Sequence, residues 1–123
     1  MNDRTKEPLG MKYYQKQPHK SKFANPTNNP AVNTLSLLCG KWKLVVFHTI
    51  STGINRFGII MKEVPDISKR MLTKELRELE MDELISREVF AEVPPRVEYK
   101  LTDKGESLSP VLRELEKWGK ENF

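Results

Sequence analysis

Apolar residues fall into regular helical or strand spacing from Ala31 onward and show no such order before it. Thr34 to Leu38 reads as a short apolar helix, stopped or bent at Gly40. Lys41 to Ser51 reads as a second helix, with Trp42, Val45, Val46 and Ile50 at i, i+3, i+4 and i+8. Thr52-Gly53 ends it. Phe57 to Val64 is a shorter helix, closed by Pro65, whose ring and missing N–H stop its continuation. After the tight link Asp66-Ile67, Ser68 is a good N-cap for a helix running to about Met81 or Glu83.

The period then changes. Ile85 to Val93 reads as an imperfectly alternating strand. Arg96 to Leu101 alternates cleanly, with Val97, Tyr99 and Leu101 apolar and Arg96, Glu98 and Lys100 charged. Pro94-Pro95 between them suits the tip of an antiparallel hairpin, where no ladder N–H is required. Thr102 caps a last helix carrying Leu108, Val111, Leu112, Leu115 and Trp118 on one side, and Pro110 is expected to bend or divide it. A helix pair joined by a short turn and followed at once by a hairpin is a helix-turn-helix with a wing. The expected class is α+β and mostly helical, with one small antiparallel hairpin.

Composition divides the chain further. Of the net charge of +4, all lies in residues 1–28, where Arg4, Lys6, Lys12, Lys16, Lys20 and Lys22 face only Asp3 and Glu7. With three prolines and no periodic apolar pattern, residues 1–29 read as a flexible basic arm, and residues 30–123 as a single domain. That domain is neutral overall, so only the placement of its charges can argue for an anionic partner. The longest apolar run is Leu44 to Phe47, too short to cross a bilayer, and no secretory leader is visible. A soluble cytoplasmic protein without membrane association is expected.

The Ser68 helix carries the most informative placement. At about 100° per residue, Leu72, Leu76 and Leu79 form one stripe. Arg70, Thr73, Lys74 and Arg77 form a contiguous opposite face, and Glu75, Glu78 and Glu80 lie on the flanks. Such a face suits a DNA major groove. Arg70 and Arg77 fork onto guanine edges or phosphate, Lys74 supplies a point charge, and Thr73 meets a base edge or thymine methyl. Ser68 and the free N–H groups of Lys69 and Arg70 suit a phosphate. A face that is merely solvated is the alternative.

Arg96 beside the prolines suits a minor groove or a phosphate, with Arg87 on the facing strand a weaker candidate. Lys41, Lys43 and Arg56 near helix starts are candidates for the DNA backbone. Cys39, the only thiol, reads first as a small buried apolar side chain, and a redox sensor there is the alternative. One cysteine leaves no disulfide framework within the chain, and no His, Asp or Glu grouping has metal-ligand spacing. No nucleophile motif and no Gly-rich phosphate loop is present, so neither an enzyme nor a cofactor is expected. The apolar surface of the last helix exceeds what so small a domain covers, which points to a homodimer.

Five motifs, in order, resemble the HxlR family of winged-helix bacterial regulators, relatives of the MarR type. They are Gly40-Lys41-Trp42-Lys43-Leu44, Arg56-Phe57, Ile67 to Thr73 with Leu76 to Glu80, Val93 to Tyr99, and Leu101 to Gly105. The resemblance covers roughly three-quarters of the chain, from about Pro30 to Gly119. It implies a homodimer built largely by the first and last helices, here Leu35, Leu38, Leu112, Leu115 and Trp118. It also implies an operator in double-stranded DNA, with residues 68–82 in the major groove and the wing, residues 85–101, at the minor groove. Many members carry a Cys-Pro pair ahead of the first helix, and in some that cysteine senses oxidants; here Asn29-Pro30 stands in its place. An effector of unidentified chemistry is a further partner such a regulator accommodates. The reading from another class is a winged-helix module that binds protein without specific DNA binding.

Overall fold

The computed structural model describes residues 28–123. The basic arm, all but its last two residues, lies outside them. Five helices and one two-stranded sheet follow in order among the described residues: α1 (Pro30–Leu37), α2 (Lys43–Ser51), α3 (Phe57–Glu63), α4 (Lys69–Met81), β1 (Ile85–Phe90), β2 (Arg96–Leu101) and α5 (Asp103–Asn122). The α+β winged helix-turn-helix expected from the sequence is the fold observed.

The element ends have local causes. Asn29 caps α1, its Oδ1 accepting the Ala31 N–H at 2.8 Å, with Pro30 at the first helical position. Asn29 thus caps α1 at the position where many members of the family it resembles are expected to carry cysteine. The Ser68 hydroxyl accepts the Met71 N–H at 3.0 Å and the Thr102 hydroxyl accepts the Gly105 N–H at 3.0 Å, so both expected caps are present. Asp66 makes the turn between α3 and α4 at φ 66°, a left-handed conformation that Asp tolerates better than most residues.

One core holds the elements together. α2 supplies Val46, Phe47 and Ile50; α3 and its turn supply Ile60, Val64 and Ile67; α4 supplies Leu72, Leu76 and Leu79. Leu84 and Ile85 close it beneath the hairpin. The hairpin is in register from Ile85–Leu101 to Phe90–Arg96. Its second strand is also tied to the loop before α3 by the Tyr99 N–H, which donates to the Asn55 carbonyl at 2.8 Å. Gly105 sits directly under the hairpin. A Cβ there would lie 2.2 Å from the Leu84 carbonyl oxygen, so no side chain fits.

Several expectations are corrected. The α2 stripe is rotated: Phe47 is fully buried, whereas Val45 is 42% exposed. Leu38 is buried at 7% exposure, within the core, and so is withdrawn from the expected dimer surface. The first strand ends at Phe90, short of Val93. Beyond it the Glu92 N–H bonds the Phe90 carbonyl at 2.9 Å, turning the chain. Pro110 does not divide α5, which runs on to Asn122. Pro110 and Glu106 both lie on the exposed side of the helix, so the carbonyl deprived of its N–H donor is on the side open to water.

Candidate nucleic-acid interface

α3, its five-residue turn and α4 form the helix-turn-helix, and α4 presents the charge-segregated face. Ser68, Lys69, Arg70, Lys74 and Arg77 are exposed and Thr73 is half-buried. No acidic residue occupies the first turn of α4, so nothing of the helix's own competes for an anion at that end. The Thr73 hydroxyl donates to the Lys69 carbonyl at 2.8 Å, so it is engaged within the helix. Among the described residues neither Arg70 nor Arg77 forms an ion pair.

The glutamates of α4 are accounted for by burial and pairing. Glu75 is buried on the same side as Leu72, Leu76 and Leu79 rather than on a flank. Lys43, expected at the DNA backbone, is corrected: its side chain is only 4% exposed. Its ammonium donates to Glu78 and lies 3.8 Å from Glu75 Oε1, binding α2 to α4. Glu78 also takes Lys74 at 3.1 Å. Burial opposes the charge on Glu78, but the hydrogen bonds from Lys43 and Lys74 outweigh it and lower its pKa. The same Glu78 bond raises the pKa of Lys74.

The wing is built differently. The Arg96 guanidinium donates to Glu92 at 2.8 and 3.1 Å and to Glu98 at 2.5 Å. It also stacks 3.8 Å over the Phe90 ring. Arg96 is therefore engaged within the wing, where a free cation was expected. Arg56, at the N-cap of α3, is half-exposed with Nη2 3.9 Å from Glu98. Arg87 is paired with Glu80 of α4 at 3.5 Å. Glu92 and Glu98 escaped the sequence reading, although their spacings of i−4 and i+2 from Arg96 were available signals.

The remaining candidates are dispersed. Leu35, Leu115 and Trp118 are exposed, and Leu112 is half-buried against the core. Leu112 and Leu115, with Leu44, Val45 and His48, line a cleft of 670 Å³ between α2 and α5. Cys39 is half-buried rather than buried, in a second cleft of 520 Å³ with Trp42, Lys43 and Met71. Among the described residues no His, Cys, Asp and Glu grouping could hold a metal, and no helix is long and apolar enough to cross a membrane.

Two helices joined by a tight turn, the second basic on its outer face and followed by a hairpin, define a winged helix-turn-helix DNA-binding protein. Residues 37–123 match the HxlR-like helix-turn-helix family, and the chain belongs to that family. It is 41% identical over 103 residues to the uncharacterized HTH-type transcriptional regulator YybR of Bacillus subtilis (strain 168), covering 84% of this chain and 82% of that one. The reduced form of the redox regulator HypR superposes with a TM-score of 0.72 at 42% identity, over 76% of this chain and 93% of that one. A MarR-family putative transcriptional regulator from Porphyromonas gingivalis W83 gives 0.72 at 36% identity, over 83% and 100%. The protein is thus a transcriptional regulator and not an enzyme.

Proposed function

We propose that the protein acts in the cytoplasm as a homodimer on a palindromic operator in double-stranded DNA. Each subunit lays α4 in the major groove, with Arg70, Thr73 and Arg77 toward base edges and Ser68, Lys69 and Lys74 toward phosphates. The wing, through Arg96 and Arg56, meets the flanking minor groove. The two half-sites lie about one helical turn, ~34–36 Å, apart. The observation that carries this reading is the outer face of α4, where Arg70 and Arg77 stand exposed with no ion pair among the described residues. Dimerisation is supported by the exposed Leu35, Leu115 and Trp118, which leave apolar helix surface uncovered in one chain. The domain from residue 30 carries this activity, and the basic arm adds sequence-independent phosphate contacts.

The test is a salt titration of the full chain on fragments around its own gene, beside random duplex. One fragment retained at salt that releases random DNA supports the reading. Equal, salt-erased binding to every fragment overturns it. Sedimentation of the free protein as a monomer overturns the dimer.

A further inference from the structure

Arg96 is held by more than a wing needs for its own stability. Two carboxylates and one aromatic face converge on a guanidinium at an exposed hairpin, where a single ion pair adds little to folding. Glu92 is itself fixed by its backbone bond to Phe90. Glu98 also lies within reach of Arg56, so both basic side chains assigned to the minor groove share one acidic partner. Glu88 stands opposite Glu98 in the hairpin register, adding negative charge to the same face. Arg96 thus has its positive charge engaged within the wing.

We propose that Glu92 and Glu98 are specificity-determining residues that hold Arg96 back from ordinary DNA. The inference rests on the reading of the wing as a DNA-contacting element. A phosphate of a random duplex offers Arg96 one anionic partner in high dielectric. That is a poor exchange for two carboxylates and a ring already in place. A narrow minor groove beside a correctly docked α4 offers a concentrated negative potential, and there the exchange becomes favourable. The two glutamates therefore weaken binding everywhere, but weaken it most where α4 is not in register. Discrimination comes from disfavouring the wrong site as well as favouring the right one.

The test compares the full-length wild type, Glu92→Gln/Glu98→Gln, Arg96→Ala, and the triple variant by fluorescence anisotropy across a salt series. The probes are a random duplex and the fragment the wild type prefers. The double variant is expected to bind random duplex roughly five- to tenfold more tightly, with a salt slope steeper by about one, the signature of one further phosphate contact. Its ratio of preferred to random affinity falls. In the triple variant the gain disappears, because it acts through Arg96. Unchanged random-duplex binding in the double variant overturns the proposal. So does a gain that persists without Arg96, since the glutamates would then act only by repelling DNA. Should the double variant unfold, Glu92→Gln alone, at a half-exposed position, is expected to give a smaller gain of the same kind. If the wild type prefers no fragment while the Arg96-dependent gain is present, the operator reading fails and the restraint on Arg96 stands. If it prefers one and the gain is absent, only the restraint fails.

Discussion

α4 and the wing both offer arginines to the solvent, yet they handle acidic neighbours in opposite ways. On α4 the helical period turns Glu75 inward and Glu78 sideways, where the buried Lys43 takes both, and Arg70 and Arg77 are left without an ion pair among the described residues. On the wing the two-residue period puts Glu98 on the same face as Arg96, and the tip brings Glu92 back to it. A helix sorts charges by angle around its axis, and a short hairpin brings them together. The first arrangement leaves cations exposed, and the second pairs them.

Removing the buried cation strikes this contrast at its base. Lys43→Ala strands the buried Glu75, leaves Glu78 with Lys74 alone, and is expected to cost about 3–5 kcal/mol of stability, read by urea unfolding. An unfolding midpoint equal to that of the wild type would show that the pair does not hold α4. Next in size, Arg70→Ala and Arg77→Ala should each weaken operator binding by about 1–3 kcal/mol with melting temperature unchanged. Operator affinity equal to wild type in both would remove α4 as the reading face. Ser68→Ala should lower stability by about 1 kcal/mol through loss of the α4 cap, measured in the same unfolding experiment. Arg96→Ala should cost the operator complex only about 1 kcal/mol or less, because the arginine surrenders two carboxylates to reach DNA. A loss matching that of Arg70→Ala would abolish the contrast.

The smallest effect is on pH dependence. Glu78 has a pKa below the ordinary 4.5, so it stabilises the fold above that value and ceases to as pH falls through its lowered native value. Glu78→Gln should flatten that part of the acid limb of a melting-temperature profile; an identical limb would show that Glu78 contributes nothing to it.

The helix-turn-helix, both caps and the outer face of α4 were legible because each depends on local spacing. Leu72, Leu76 and Leu79 fix which way α4 faces whatever packs on them. The place of Lys43 was harder to see, since lysine ordinarily reads as solvent-exposed. Its position was nonetheless marked: Lys43 precedes Val46, Phe47 and Ile50 at i+3, i+4 and i+7, on the buried side. Glu75 carries the same mark on α4. Two opposite charges on two buried stripes are a pairing signal that neither helix gives alone. Leu38 was misassigned because an apolar residue at a helix end suits a core or an interface equally well. The restraint on Arg96 depends on how the hairpin tip turns after Phe90, which strand alternation does not specify.

Gly105 has a mechanical meaning. With no room for a methyl group between the first turn of α5 and the Leu84 carbonyl, and with the Thr102 N–H bonded to that same oxygen at 3.1 Å, helix and hairpin meet as a rigid joint. α5 is then a lever some twenty residues long, fixed at one end to the base of the wing. On the proposed reading of the wing, a small tilt imposed on its far end, which carries Trp118, would be passed to the base of the hairpin through a single unsubstituted α-carbon.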